Sequence, residues 1–159
     1  MSTHVTRRAA LSTAVLLAPS WALALVPTKG PLTLAGAKTT VWGAYDIRPM
    51  LFPNETWTFH VVVVPADVRQ GTLIEMAKAF YAKHPNTRAR FFSDAKHIKQ
   101  YVDRDRYVND KTGQVKEVDF PPSKWVQDHL LGNINNRSKD FGRPWILEDR
   151  YGNRISTLT

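Results

Sequence analysis

The residues best placed for chemistry are Trp125 and His129, which lie four positions apart in a short segment with helical spacing. Residues four apart share a helix face, so the indole and the imidazole are expected side by side. Histidine exchanges protons near neutral pH, and a polar segment over residues 133–143 follows it. We therefore take Trp125, His129, Asn135 and Arg137 as candidate binding residues, and His129 as the candidate catalytic residue. The alternative is that His129 closes the edge of the core and has only a structural role.

A second candidate binding site is the arginine pair Arg88 and Arg90, which alternates with Ala89 and Phe91. Successive side chains of a strand point to opposite faces, so both arginines share one face. This pattern predicts a basic surface for an anionic partner, or else a solvated face of the sheet. Nucleic acid is not expected as the partner, because such sites interleave stacking aromatic residues with densely clustered basic ones.

Common motifs for metals, cofactors and nucleophiles are absent from the sequence. There is no glycine-rich phosphate loop, no nucleophile elbow and no His-Glu-x-x-His motif. The segment from Asp103 begins like a calcium loop, but Val108 stands where the loop needs glycine. The chain has no cysteine, which excludes thiolate zinc sites, iron–sulfur clusters, c-type haem and cysteine nucleophiles. We expect no metal and no cofactor.

The elements that position the arginines form a predicted strand–helix–strand unit. Residues 56–64 are rich in β-branched and aromatic side chains and predict a strand. Thr72 and Glu75 have the spacing of a capping box, and Pro85 ends the helix that they are expected to begin. Residues 87–93 predict a second strand. A unit of this size is typical of two parallel strands joined by a helix.

The remaining elements complete the predicted fold. Asp94 is expected to cap a second helix, and turn sequences ending in Gly113 and Gly152 predict hairpins over residues 107–118 and 145–158. Between the hairpins, Ser123 is expected to cap a short helix that Gly132 ends. The fold class is therefore α/β or α+β, a single small domain over residues 56–159 with a βαβα core, two hairpins and one short helix between them.

The N-terminus has the composition of an export signal over residues 1–24. A basic head precedes an apolar run that ends in the small residues around Ala24, where cleavage is expected. The Thr6-Arg7-Arg8 sequence resembles the bacterial twin-arginine signal, although Ala10 stands where that signal usually has a bulky apolar residue. A general secretory signal, cleavage after Ala37 and an uncleaved membrane anchor are the alternatives. Residues 25–55, which are rich in proline and glycine, are expected to form an extended lead-in.

The net charge and the predicted export signal together suggest a class of function. The formal net charge is +8 at pH 7, which favours anionic partners, although solubility alone also accounts for it. We expect a periplasmic or secreted bacterial protein without catalytic activity that binds an anionic envelope component or a protein partner. Contact with the membrane is expected only through an uncleaved signal. The alternative is a small envelope hydrolase that uses His129 and the loop over residues 133–143.

Overall fold

The computed structural model describes residues 26–49, 54–103, 121–136 and 144–158. In these ranges the chain forms a small α/β or α+β domain built on a seven-stranded mixed sheet. The elements, in chain order, are β1 Gly30–Leu34, β2 Ala37–Ile47, β3 Trp57–Val63, α1 Gln70–Lys83, β4 Arg88–Phe92, α2 Ile98–Asp103, α3 Ser123–His129, β5 Leu130–Asn135, β6 Ile146–Glu148 and β7 Arg154–Thr157.

The strands lie side by side in the order in which they occur along the chain. β3 and β4 pair parallel, with Phe59 opposite Arg88 and Val63 opposite Phe92. The other neighbouring strands in the described part of the chain pair antiparallel. Parallel neighbours need a long crossover connection, and α1 supplies it between β3 and β4. The parallel pairing expected for these two strands is therefore present.

The sheet buries apolar side chains on both faces. One face packs against α1, and its core includes Phe80, Phe91, Ile134 and Leu147, all fully buried. The other face packs against α2 and α3 through a second core cluster that includes Phe92, Ile98 and Trp125. Two covered faces explain why β3 is apolar along most of its length.

The expected lead-in is corrected, because residues 30–47 form β1 and β2 of the sheet. Ala35 and Gly36 adopt positive φ angles of 47° and 80° and form the turn between the two strands. Leu34 and Val41 are fully buried. The β-branched and aromatic residues of β2 outweigh the prolines, and Pro31 is tolerated because β1 is an edge strand.

The expected helix caps are also corrected. α1 begins at Gln70 after Arg69, and α3 begins at Ser123 after Pro122; neither start has a side-chain cap. Thr72 therefore lies inside α1. α2 begins only at Ile98, and the Asp94 carboxylate instead accepts the backbone N–H of Lys96 in the preceding turn. For α1 and α3 the capping predictions were wrong because backbone hydrogen bonds from Leu73 N–H to Arg69 O and from Val126 N–H to Pro122 O start each helix upstream of the expected cap.

The first residues of the polar segment after His129 form a strand rather than the expected loop. Gly132 and residues 133–135 lie in β5, where Ile134 is fully buried opposite Ala89 and Leu147. Burial of Ile134 on the α1 face outweighs the low strand propensity of the asparagines beside it. The rest of this segment up to residue 143, apart from Asn136, lies outside the described residues.

The two predicted hairpins have different outcomes. β6 and β7 form the expected hairpin, and the Asp149 carboxylate closes its turn by accepting the backbone N–H groups of Tyr151 and Asn153. Gly152 has the positive φ of 86° that the turn requires. The hairpin expected over residues 107–118 lies outside the described residues, as does the export signal. In the described ranges, no helix is long and apolar enough to cross a membrane.

Candidate functional site

The candidate residues fall into two clusters on the side of the sheet that faces α2 and α3. Ala89, Phe91 and Ile134 point toward α1, so the residues that alternate with them point the other way. The first cluster, here called the arginine face, comprises Arg88, Arg90, Asn133, Asn135 and Glu148. The second, here called the histidine cluster, comprises Ser93, Asp94, Trp125 and His129.

Arg88 is held by aromatic rings and by the end of β5. Its guanidinium carbon lies 4.2 Å from the ring centroid of Trp57 and 5.4 Å from that of Trp145. Arg88 Nε donates to Asn135 Oδ1 at 3.1 Å, and Nη2 donates to the backbone oxygen of Asn136 at 3.4 Å. Burial lowers the pKa of Arg88, and the nearby Glu55 carboxylate partly offsets this effect. The guanidinium nevertheless stays charged at neutral pH.

Arg90 lies beside Arg88 and also rests on aromatic rings. Its guanidinium carbon lies 4.8 Å from the ring centroid of Phe59 and 5.5 Å from that of Tyr45, and Nη1 donates to the Tyr101 hydroxyl. Arg90 Nε is buried and has no hydrogen-bond partner in the described residues. Among the residues that the structure describes, no carboxylate oxygen lies within 4.0 Å of an Arg90 nitrogen.

Buried polar groups from β5 and β6 complete the arginine face. Asn133 pairs across the strands with both Arg90 and Glu148, and it is 7% exposed. Its Oδ1 atom has no hydrogen-bond partner among the residues that the structure describes. Asn135 Nδ2 donates to Glu148 Oε1 at 3.5 Å, so the glutamate orients the amide that receives Arg88. The two buried atoms without a hydrogen-bond partner, Asn133 Oδ1 and Arg90 Nε, cost free energy as long as they stay unpaired.

The histidine cluster joins the end of β4 to the end of α3. Ser93 Oγ lies 3.1 Å from His129 Nδ1, and His129 Nε2 lies 3.7 Å from Asp94 Oδ2. Trp125 Nε1 donates to the same Asp94 oxygen at 2.7 Å. The Trp125 ring stacks on Phe92 with a centroid separation of 5.3 Å, which fixes α3 against the sheet. The imidazole therefore lies between a hydroxyl and a carboxylate.

The electrostatics of this cluster favour an ionised carboxylate. The hydrogen bond from Trp125 lowers the pKa of Asp94 most strongly, and the backbone N–H of Lys96 and the charge of His129 lower it further. Desolvation opposes these effects. The His129 and Asp94 side chains are 34% and 35% exposed, so the cluster is open to solvent rather than enclosed in the core.

The sequence-based candidates are divided between the two clusters. Trp125 and His129 lie side by side, with ring centroids 5.7 Å apart. Asn135 is not beside His129, because the length of β5 separates them by roughly 20 Å. It joins Arg88 instead. Arg88 and Arg90 share a face as expected from their spacing, but both are half-buried. Arg137 lies outside the described residues.

Sequence reasoning missed Ser93, Asp94 and Glu148 as site residues, and it placed Asn133 only in the loop expected beside His129. A signal for the first two existed, since polar residues at the carboxyl end of a parallel strand often line a site. Ser93 and Asp94 directly follow β4, which pairs parallel with β3. Asn133 and Glu148 carried no such signal, because their face became known only from the pairing of β5 and β6.

Neither metal-ligand geometry in the described residues nor similarity to other proteins identifies a function for the two clusters. In the described ranges, no group of three or more His, Asp or Glu residues is placed to hold a metal ion. Comparisons with protein families, with curated proteins and with solved structures find no match to this chain.

Proposed function

We propose that this protein is an exported bacterial binding protein that holds a small anionic ligand on the arginine face. The observation that carries the proposal is that the guanidiniums of Arg88 and Arg90, two positions apart on one strand, are each held against an aromatic ring. Arginines that are stacked in this way lose little side-chain freedom on binding and present planar donors that match carboxylate or phosphate oxygens.

The unpartnered atoms suggest the rest of the ligand. Arg90 Nε is a donor and Asn133 Oδ1 is an acceptor, and neither has a partner in the described residues. Both atoms are enclosed by the protein, so a ligand that supplies a carboxylate or phosphate oxygen to Arg90 and a hydroxyl or amine hydrogen to Asn133 satisfies both only when the covering side chains move aside. Because an unmade buried hydrogen bond costs about 1–3 kcal/mol, satisfying both atoms favours binding.

The charge balance supports an anion over a neutral ligand. Arg88 has Glu55 nearby, and the Trp57 indole holds that carboxylate at 2.7 Å. The charge of Arg90 lacks such a partner in the described part of the chain, although its guanidinium is half-buried. A half-buried charge is more stable with a counter-ion than without one.

The proposed compartment rests on residues 6–24, with their two arginines, apolar run and small residues before Ala24. The proposed export route is the twin-arginine pathway. Replacing Arg7 and Arg8 by lysines should leave the precursor in the cytoplasm of a bacterial host, as shown by fractionation and intact mass. Undiminished export of that variant would instead indicate the general secretory route.

Titration calorimetry with two matched probes tests the binding site. Malate and succinate both carry two carboxylates, and only malate has a hydroxyl. We expect malate to bind more tightly, and we expect Arg90→Lys to weaken its binding by about tenfold or more, because lysine keeps the charge but loses Nε and the planar fork. Inorganic phosphate serves as the third probe.

The matched control is Arg154→Lys, since Arg154 is an exposed residue of β7. This variant should bind malate as the unmodified protein does. If none of the three probes binds, or if Arg90→Lys and Arg154→Lys behave alike, the arginine face is not the binding site. Equal affinity for malate and succinate would refute the role assigned to Asn133.

A further inference from the structure

We infer that the histidine cluster is a separate acyl-transfer site, in which Ser93 is the nucleophile and His129 is its general base. Ser93 Oγ and His129 Nδ1 are 3.1 Å apart, within the range in which a base removes the proton of an attacking hydroxyl. The substrate class is a carboxylic ester. This inference is independent of the ligand proposed for the arginine face.

The carboxylate of Asp94 sets the state of the imidazole. His129 can accept a proton at Nδ1 only when its own hydrogen is on Nε2, and Asp94 Oδ2 lies 3.7 Å from that atom. A carboxylate on this side favours the Nε2–H tautomer and stabilises the imidazolium that forms during attack. Asp94 is therefore a positioning residue, and the Trp125 indole holds its carboxylate in place at 2.7 Å.

The backbone brings the hydroxyl and the imidazole together before any substrate arrives. The backbone N–H of Ser93 donates to the backbone oxygen of His129 at 3.0 Å, which ties the end of β4 to the end of α3. Stacking of Trp125 on Phe92 is a second contact between α3 and β4, made by side chains. Prior positioning of reacting groups lowers the entropic part of a reaction barrier.

The side chains of the cluster are accessible to solvent, as a reaction with a substrate requires. A hydrogen bond that served only stability would not need this exposure. His129 is 34% exposed on its side chain and Asp94 is 35% exposed. Ser93 lies at the carboxyl end of the parallel strand β4, the edge at which α/β sheets commonly bind substrates.

The reaction balances with water as the only co-reactant. Ser93 Oγ attacks the ester carbonyl carbon and passes its proton to His129 Nδ1. The C–O bond to the alcohol then breaks, and the alcohol leaves with that proton, so Ser93 becomes acylated. Water then attacks the acyl carbon and passes a proton to His129; the bond from that carbon to Ser93 Oγ breaks, His129 returns the proton to Oγ, and the carboxylic acid is released.

A fluorophosphonate probe tests the nucleophile directly, because an activated serine displaces fluoride from it and keeps the phosphonyl group. We expect one adduct by intact mass and peptide mapping to place it on Ser93. Ser93→Ala should abolish the adduct, and His129→Gln should slow its formation by about 100-fold or more. Circular dichroism should show that each variant is folded.

The matched control is Ser123→Ala, since Ser123 is an exposed serine at the start of α3 with no capping hydrogen bond. It should label at the rate of the unmodified protein. Absence of labelling in the folded protein, labelling at a serine other than Ser93, or an unchanged rate in His129→Gln would each overturn the inference. Mapping on the unmodified protein decides the site even if Ser93→Ala does not fold.

The positioning role of Asp94 has its own readout. Nitrogen-15 NMR of the His129 ring reports which nitrogen carries the hydrogen. We expect the Nε2–H form to dominate in the unmodified protein and Asp94→Asn to raise the fraction of the Nδ1–H form while slowing labelling. An unchanged tautomer ratio would show that Asp94 contributes only to packing.

Discussion

Replacing Trp125 by phenylalanine removes the hydrogen bond that holds Asp94 and keeps an aromatic ring at this position. Phenylalanine can still stack on Phe92, but it cannot make the 2.7 Å hydrogen bond from the indole to Asp94 Oδ2. A hydrogen bond to a charged group contributes about 1.5–3 kcal/mol. Because 35% of the Asp94 side chain is exposed, water replaces part of that contribution. We therefore expect the lost hydrogen bond to lower the free energy of unfolding by about 1 kcal/mol at neutral pH.

The pH dependence separates this hydrogen bond from packing. The Trp125 hydrogen bond is the largest cause that lowers the pKa of Asp94 in the folded protein. A carboxyl group whose folded pKa is lowered contributes stability above its unfolded pKa, and that contribution is lost as pH falls through the folded pKa. The stability difference between the unmodified protein and Trp125→Phe should therefore be largest at neutral pH and shrink in acid. The cavity left by the smaller ring costs the same free energy at every pH.

Urea unfolding followed by circular dichroism at neutral and acidic pH measures the two differences. Asp94→Ala, which removes the acceptor, and the double variant complete a mutant cycle, in which we expect a coupling free energy of about 1 kcal/mol between the two side chains at neutral pH. The reasoning is refuted if the Trp125→Phe difference is as large in acid as at neutral pH, or if the coupling is absent.

Two further predictions concern the fold and the mature N-terminus. Gly132→Ala should lower the free energy of unfolding by about 1–3 kcal/mol in urea, because the added Cβ would lie 2.9 Å from the backbone oxygen of Glu148. Gly71→Ala is the control; its Cβ meets no atom within 4 Å, so it should stabilise α1 by about 0.5–1 kcal/mol, and equal effects would refute the close approach at β5. Intact mass of exported protein should show cleavage after Ala24, since cleavage after Ala37 would remove β1, and recovery of that shorter form in a folded state would contradict the structural role of β1.

Local patterns predicted the elements whose burial follows a simple period. The strand over residues 56–64, the helix that ends before Pro85 and the strand over residues 87–93 are present as β3, α1 and β4. The C-terminal hairpin was predictable because Gly152 and Asp149 supply its turn locally. In each of these cases, neighbouring residues alone account for most of the conformation.

The errors occurred where distant partners decided the local structure. Residues 30–47 look irregular from their prolines and glycines, yet they pair with one another and with β3. Residues 133–135 look like a polar loop, yet burial of Ile134 places them in β5. Local propensities are worth tenths of a kcal/mol per residue, whereas burying one large apolar side chain contributes about 1.5–3 kcal/mol.

The same division applies to the candidate sites. The sequence by itself determined that Trp125 lies beside His129 and that Arg88 shares a face with Arg90, because the periods of a helix and a strand impose both. Only the tertiary structure brought Ser93 to His129 across 36 residues of chain and Asn135 to Arg88 across 47. Those pairs depend on the antiparallel pairing of β4 with β5, which joins segments that are distant in sequence and which no local pattern specifies.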